Sequence, residues 1–212
     1  AFIGESGSGK TTMLKLLRGL YQFDTGSVSL SGRPLRGGIM DIQGSISLIP
    51  QDPEIFATTI LENITAGASY DKKIAMRYSE AALFAPVANR LPNGYDSSIN
   101  EKGVNLSGGE RQRLALARGL LFSANKDIIL LDEPTSSVDA KNERLIYENI
   151  FRLFEKKTII STIHRLHLLP FFDTIYFFSG GRIVSSGSFD VLMRSSKEFQ
   201  SLWKKYTKTH RR

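Results

Sequence analysis

The 212-residue sequence contains no cysteine, and none of its apolar runs is long enough to span a bilayer. Without cysteine the chain can form neither disulfide bonds nor cysteine-ligated zinc sites, and this composition fits a reducing compartment. No secretory signal peptide is recognisable. The apolar fraction of 41% and the charged fraction of 23% are ordinary for a globular protein, and this length allows one domain with a sizeable core.

Most of the net charge of +7 is concentrated at the carboxyl end. Residues 197–212 contain six lysines or arginines and one glutamate, so this tail carries +5 and the rest of the chain carries +2. Such a distribution does not favour a broad nucleic-acid surface. A short basic tail is usually a solvated segment, and contact with an anionic membrane surface is the alternative.

A glycine-rich loop opens the chain. Residues 4–11, GESGSGKT, fit the pattern of glycine, four residues, then Gly-Lys-Ser/Thr. Residues 1–3 are expected to end a buried strand, and residues 12–20 have helical spacing. The predicted apolar face of that helix consists of Met13, Leu16, Leu17 and Leu20. A strand, a loop and a helix in this order favour a phosphate-binding loop over a glycine-rich turn with a chance lysine.

The chemistry of a phosphate loop explains its residues. Glycines let successive N–H groups point at phosphate oxygens, and the positive end of the following helix adds to the field. Lys10 is predicted to reach the β- and γ-phosphates, and the Thr11 hydroxyl to ligate Mg²⁺. The predicted nucleotide-binding residues here are Gly4, Glu5, Ser6, Gly7, Ser8, Gly9, Lys10, Thr11 and Thr12.

Two acids follow a short apolar run later in the chain. Ile128 to Leu131 suit a parallel strand that is buried on both faces, and Asp132 and Glu133 come directly after it. Open α/β sheets bind ligands at this end of their strands. Asp132 is therefore the predicted partner of Mg²⁺, and Glu133 is predicted to polarise an attacking water. The alternative is a pair of surface acids in a turn.

A second candidate phosphate-binding segment is Leu106 to Glu110, LSGGE, which precedes a strongly helix-forming run. Ser107 is a favourable N-cap residue, and the two glycines permit close approach of an anion. One domain already has a phosphate loop, so a second such segment makes sense if it serves the nucleotide of another subunit.

With these motifs in this order, the sequence resembles the nucleotide-binding domain of ATP-binding cassette (ABC) transporters, from Ala1 to about Lys204. GESGSGKTT is similar to the Walker A loop, LSGGE to the signature motif, and IILLDE to Walker B with its catalytic glutamate. Gln51 matches the Q-loop, residues 136–139 match the D-loop, and His164 matches the switch histidine.

The resemblance implies an α/β fold: a P-loop NTPase core with a mixed, mainly parallel sheet and an α-helical subdomain at about residues 62–122, all within one ABC domain, residues 1–212. It implies a Mg-dependent ATPase whose cofactors are ATP and Mg²⁺. The implied catalytic residues are Glu133, His164, Gln51 and Lys10, and the implied metal ligands are Thr11, Gln51 and Asp132. The second domain of a head-to-tail pair, identical or different, would contribute Ser107, Gly108, Gly109 and Asp139.

Residues 51–64 and 93–121 are similar to the exporter branch, and residues 101–103 lie where exporters carry the X-loop. This implies the motor of an exporter, partnered by a transmembrane domain at the cytoplasmic face of a membrane.

Glu110 is the residue that chromosome-maintenance and DNA-repair ABC ATPases often carry at this position of the signature motif. Those proteins insert long coiled coils, whereas Lys10 and Ser107 are separated by only 97 positions without sustained heptads. Nucleic acid is therefore not expected as a partner.

Two other functions stay open: a soluble ABC ATPase acting on nucleic acid or ribosomes, and a catalytically silent binding fragment.

Family members carry further strands and an adenine-stacking aromatic residue ahead of Walker A. We therefore expect this sequence to be part of a longer polypeptide. Tyr21 and Phe23 are expected to lie in the core rather than to replace that aromatic, and His167 and His210 are treated as ordinary residues.

The remaining segments show simpler patterns. Residues 26–32, 46–49 and 158–163 are predicted strands, residues 175–178 and 182–185 a hairpin, and residues 188–206 one or two helices.

Overall fold

The computed structural model describes residues 1–52, 54–99 and 106–209. Eight strands are present in this part of the chain: β1 Phe2–Ile3, β2 Ser29–Leu30, β3 Arg33–Pro34, β4 Ile46–Ile49, β5 Ile128–Asp132, β6 Thr158–Thr162, β7 Ile175–Ser179 and β8 Arg182–Gly187. Six of them form one sheet in the order β4-β5-β6-β1-β7-β8, and β2 pairs with β3 in a separate hairpin.

The large sheet is parallel except for β8, which runs antiparallel to β7. Strand β5 lies inside the sheet between β4 and β6, and Ile129, Leu130 and Leu131 are all fully buried. The continuous apolar run of this strand follows from burial on both faces. In the parallel register Asp132 lies beside Thr162, so the carboxyl ends of β5 and β6 bring polar side chains to one edge.

Helices cover the sheet. They are α1 Lys10–Arg18, α2 Ile60–Thr65, α3 Lys72–Ala81, α4 Ala85–Asn89, α5 Gly108–Phe122, α6 Ala140–Leu153, α7 Phe189–Ser195 and α8 Lys197–Thr209, with 3₁₀ helices at Gly38–Ser45, Gly94–Asp96 and Leu166–Phe171. None of the helices in the described ranges is long and apolar enough to cross a membrane.

Helix α5 connects the helical region to the sheet. It packs against α2 and α3 in the helical region and against β4 in the sheet. The close approach to β4 depends on Gly119, because a Cβ there would lie 2.7 Å from the Ile49 side chain. The architecture is a mixed, mostly parallel sheet with helices, as expected for a P-loop NTPase core of the ABC type.

Most of the predicted elements are confirmed. The structure contains the strands at Ile46–Ile49 and Thr158–Thr162, the hairpin of β7 and β8, and two helices between Phe189 and Thr209. The predicted helical stretch at residues 62–122 is built mainly from α2 to α5 where the structure describes it.

Three predictions near the first helix are wrong. Helix α1 ends at Arg18 because Gly19 adopts a left-handed conformation (φ 76°), and Leu20 is 56% exposed instead of on the buried face. The predicted strand at 26–32 is reduced to Ser29–Leu30 and turns at once into β3. Tyr21 and Phe23 are 50% and 42% exposed, so neither is a core residue.

Some predictions concern residues that the structure does not describe. The exporter-like segment Glu101 to Gly103 and the histidine at position 210 lie outside the described ranges, as do the last two arginines of the basic tail.

Candidate nucleotide-binding site

A cavity of about 390 Å³ lies at the carboxyl edge of the sheet, above the N-terminus of α1. It brings together residues that are far apart in the sequence, including all four predicted catalytic side chains. Its lining residues are Ser6, Gly7, Gly9, Lys10, Thr11, Thr12, Gln51, Glu133 and His164. Gly4, Glu5 and Ser8 belong to the same loop but do not line the cavity.

The loop in front of α1 follows from its glycines. Gly4 has φ 144°, and a Cβ there would lie 2.2 Å from the carbonyl oxygen of Phe178, so no larger residue fits. Gly9 occupies the N-cap of α1 in a left-handed conformation, and no side chain caps the first turn. The N-terminal N–H groups of α1 are therefore available to an anion, with the helix dipole behind them.

Lys10 places a buried positive charge in this loop. Its Nζ donates to the carbonyl oxygens of Gly4 at 2.9 Å and Glu5 at 3.0 Å, and the residue is only 5% exposed. Burial lowers the pKa of the Lys10 ammonium, while the charges of Glu133 and Asp132 oppose this shift. Because desolvation of the ammonium is unfavourable, an anion entering the cavity would gain a strong electrostatic partner.

Asp132 is buried at the floor of the site and accepts two hydrogen bonds. Thr11 Oγ1 donates to Asp132 Oδ1 at 3.1 Å, and Thr162 Oγ1 donates to the same oxygen at 2.8 Å. A hydroxyl and a carboxylate are the hard oxygen donors that Mg²⁺ prefers. The donor set formed by Thr11 and Asp132 therefore fits this ion.

The backbone of Glu133 adopts an uncommon conformation. Its φ is +47°, in the left-handed region that non-glycine residues rarely occupy, at a cost of about 1–3 kcal/mol. The surroundings hold it there: Glu133 N–H donates to Thr162 Oγ1 at 2.9 Å, and its carbonyl oxygen accepts from Ser136 N–H at 3.3 Å and from Gln112 Nε2 at 3.3 Å. The conformation fixes the direction of the side chain.

The Glu133 carboxylate is held from both sides. Gln51 Nε2 donates to Glu133 Oε2 at 3.0 Å, and His164 Nε2 lies 2.6 Å from Glu133 Oε1. The Glu133 side chain is 16% exposed and the His164 side chain 48% exposed. The three side chains thus form a compact hydrogen-bonded cluster at the cavity wall, with the imidazole closer to solvent. Gln51 contacts Glu133 here rather than Thr11 or Asp132.

The segment Ser107–Gly109 lies at the start of α5 and does not line the cavity of α1, and Ser107 and Gly108 are exposed. Ser107 is the N-cap as predicted: its Oγ accepts from Glu110 N–H at 3.3 Å, and the Glu110 carboxylate accepts from Ser107 N–H at 2.7 Å. Glu110 also pairs with Arg90. Desolvation raises the pKa of Glu110, but the hydrogen bonds from Ser107 and the charge of Arg90 outweigh it and lower the pKa overall.

Asp139 is exposed and caps α6. Its carboxylate accepts hydrogen bonds from the backbone N–H of Asn142 at 3.0 Å and from the Asn142 side-chain amide at 2.6 Å. These bonds lower the pKa of Asp139. In this chain Asp139 does not contact the residues of the α1 cavity.

Sequence reasoning missed two residues that shape the site, Thr162 and Gln112. Thr162 links the Asp132 side chain to the Glu133 backbone, and the parallel register of β5 and β6 places it there. A polar residue at the end of an apolar strand, two positions before His164, was the available signal. Gln112 gave no such signal, because its contacts depend on how α5 packs.

Similarity to known proteins identifies the family of this chain. Residues 1–136 match the family model described as ABC transporter. ABC transporter B family member 17 of Arabidopsis thaliana is 39% identical over 197 residues, covering 91% of this chain and 16% of that protein. ATP-binding cassette sub-family B member 10, mitochondrial, of Mus musculus is 37% identical, covering 91% of this chain and 27% of that protein.

A solved structure, described as a bacterial Atm1-family ABC exporter with ATP bound, superposes with a TM-score of 0.85 at 32% identity. The superposition covers 96% of this chain and 36% of that one. The chain thus spans only a minor part of the relatives that it matches. The family model covers more than half of the chain, and the resemblance identified from the motifs is confirmed: this chain belongs to the ABC transporter family.

Proposed function

We propose that this chain is the ATP-binding and ATP-hydrolysing motor domain of an ABC exporter, with residues of about 62–122 as its helical subdomain. The observation that carries the proposal is the cavity in which Lys10, Gln51, Glu133 and His164 meet above an uncapped helix N-terminus. The similarity of the chain to named transporters and to an exporter structure with ATP bound supports the proposal. The proposal places the domain at the cytoplasmic face of a membrane, beside a transmembrane partner.

The triphosphate of ATP would lie along the loop of residues 4–12. The N–H groups at the start of α1 and the Lys10 ammonium would bind its phosphate oxygens. These donors are already in position before ATP binds, so they would stabilise the negative charge of the phosphates. Thr11 and Asp132 would hold Mg²⁺, which offsets phosphate charge when bound. Gln51 is the third predicted ligand, and its carboxamide oxygen is the atom that would serve.

Glu133 would act on the attacking water. Its carboxylate is mostly buried and is fixed by Gln51 and His164, so it is suited to orient a water and to accept its proton. His164 would hold the carboxylate and contact the γ-phosphate. Phosphoryl transfer depends mainly on such positioning and charge stabilisation.

The first turn of α5 is proposed to contact the ATP that is bound by a second domain, identical or different, in a head-to-tail pair. Ser107 and Gly108 are exposed, and the Ser107 side-chain oxygen caps the helix. Asp139 is also exposed and is proposed to contribute to the same contact with the second domain. ATP would close the pair because its γ-phosphate contacts both domains, and hydrolysis would reopen it.

The test is Glu133→Gln in the 212-residue chain. We expect Mg-ATP turnover to fall at least a hundredfold, since general-base removal costs about 10²–10⁴. ATP binding should be retained, and a closed dimer should accumulate. Glu155→Gln, an exposed glutamate after α6, is the matched control and should leave turnover unchanged. Near-normal turnover in Glu133→Gln would remove the proposed role of Glu133.

A further inference from the structure

One buried side chain connects α5 to the loop that follows β5. Gln112 lies one turn into α5 and is only 7% exposed. Its Nε2 donates to Ser136 Oγ at 2.9 Å and to the carbonyl oxygen of Glu133 at 3.3 Å. Its Oε1 accepts from the backbone N–H of Ser137 at 2.8 Å. Both amide hydrogens and the carbonyl oxygen are therefore used on one loop.

A second contact joins the same two segments. A Cβ on Gly109 would lie 2.7 Å from the carbonyl oxygen of Ser137, so the first turn of α5 lies directly against this loop. Gln112 reaches the loop from the next turn of the helix. The two contacts together fix the position of α5 relative to the loop that contains Glu133.

The backbone of Glu133 is thus held on both sides. Its N–H group donates to Thr162, which belongs to the sheet, and its carbonyl oxygen accepts from Gln112, which belongs to α5. Because Glu133 has the strained φ of +47°, small movements of either support change the direction of its side chain. A shift of α5 would therefore be transmitted to the Glu133 carboxylate.

We infer that Gln112 is a positioning residue that couples the Ser107–Gly109 segment to Glu133 within one chain. The inference rests on the proposed function, in which Ser107 contacts the partner domain's ATP and Glu133 acts on this chain's own ATP. Contact of the first turn of α5 with that second nucleotide would then set the geometry of Glu133 through a single carboxamide. Only glutamine or asparagine supplies both donors and an acceptor here, and asparagine is one methylene shorter.

The test is Gln112→Met, which keeps side-chain length and helix propensity but removes all three hydrogen bonds. The matched control is Gln200→Met in α8, which removes one side-chain hydrogen bond, to the carbonyl oxygen of Met193 at 2.9 Å, far from the site. We expect Gln112→Met to lower kcat about tenfold, a loss of the size that a broken buried hydrogen-bond network causes. KM should stay within about twofold, because the phosphate loop is untouched.

Amide hydrogen exchange is the second readout and does not require turnover. The Ser137 amide and its neighbours at 133–138 should exchange at least about tenfold faster in Gln112→Met, and at the wild-type rate in Gln200→Met. The thermal midpoint should fall by no more than a few degrees in either variant.

The outcomes separate the inference from the proposed function. Unchanged kcat, or unchanged exchange at 133–138, would overturn the positioning role. A lower kcat together with a higher KM and a much lower thermal midpoint would also overturn it, since that pattern indicates general destabilisation of the fold. If the wild-type chain showed no Glu133-dependent turnover, the proposed function would fail, and the exchange experiment would still decide whether Gln112 holds the loop.

Discussion

The two helices with proposed phosphate contacts, α1 and α5, begin in opposite ways. Helix α1 starts at a left-handed glycine with no side-chain cap, and its first turn faces a cavity. Helix α5 starts with a complete capping box, in which Ser107 and Glu110 satisfy each other's backbone N–H groups. The N-terminus of α1 is therefore arranged to be completed by an anion, whereas that of α5 is already stable without one.

The cavity at α1 and the first turn of α5, called the α1 and α5 half-sites, therefore have different roles in this account. The α1 half-site holds the buried lysine, the predicted Mg²⁺ ligands and the cluster of Gln51, Glu133 and His164, so we expect it to bind ATP alone. The α5 half-site offers an exposed hydroxyl and a helix dipole, which are too weak to retain a nucleotide without the other half. On this account nucleotide binding belongs to one chain and hydrolysis to a pair.

The largest expected effect concerns α1. Lys10→Ala removes the buried ammonium, and we expect ATP affinity to fall about a hundredfold or more, since charge-assisted bonds to phosphate are among the strong ones. Calorimetric titration with Mg-ATP measures it. Lys73→Ala, on the exposed face of α3, is the control. An affinity within about threefold of the wild type in Lys10→Ala would contradict the division between the two helices.

A pair of substitutions separates the two roles of Ser107. Ser107→Ala should lower the free energy of unfolding by about 1 kcal/mol, because the N-cap acceptor is lost. Ser107→Asp should keep that stability, because aspartate caps equally well. It should nevertheless prevent ATP-dependent association, since its charge would face the partner's phosphates.

Chemical denaturation and sedimentation measure the two effects of this pair. ATP binding to the monomer should be unchanged in both variants. Normal ATP-dependent association of Ser107→Asp would show that α5 does not contact nucleotide.

The smallest expected effect concerns Glu110. Its pKa in the folded protein is lowered from the ordinary 4.5, so the ionised carboxylate stabilises the fold above that pH and the contribution is lost as pH falls through the lowered pKa. Arg90 is 58% exposed on its side chain, so solvent screens the ion pair. We expect Glu110→Gln to cost about 0.5 kcal/mol at pH 7.

The cost of Glu110→Gln should disappear below the lowered pKa. Urea denaturation of both proteins between about pH 3 and 8 gives the comparison. A cost that stays constant throughout this range would show that the charge of Glu110 contributes nothing.

Much of the sheet and of the α1 half-site could be predicted from the sequence, because the signals are local. A four-residue apolar run followed by two acids fixes both β5 and the position of Asp132 and Glu133. The glycine-rich loop likewise identifies the start of α1, and the predicted role of Ser107 as an N-cap is confirmed. The predicted catalytic roles of the side chains stay predictions.

The errors and omissions have physical causes. Helical spacing alone extended α1 to Leu20, although Gly19 favours the left-handed conformation that ends a helix. Residue type alone predicts that Tyr21 and Phe23 lie in the core, whereas both side chains are exposed. Gln112 could not be found, because its hydrogen bonds join segments whose distance is set by tertiary packing.

The most direct test of the central claim is Mg-ATP hydrolysis by the 212-residue chain as a function of its concentration, with Glu133→Gln as the inactive control. If one chain binds ATP and two are needed to hydrolyse it, the rate per chain should rise with concentration and vanish in the control. A Glu133-dependent rate per chain that does not change with concentration, in a chain that remains monomeric, would contradict the account.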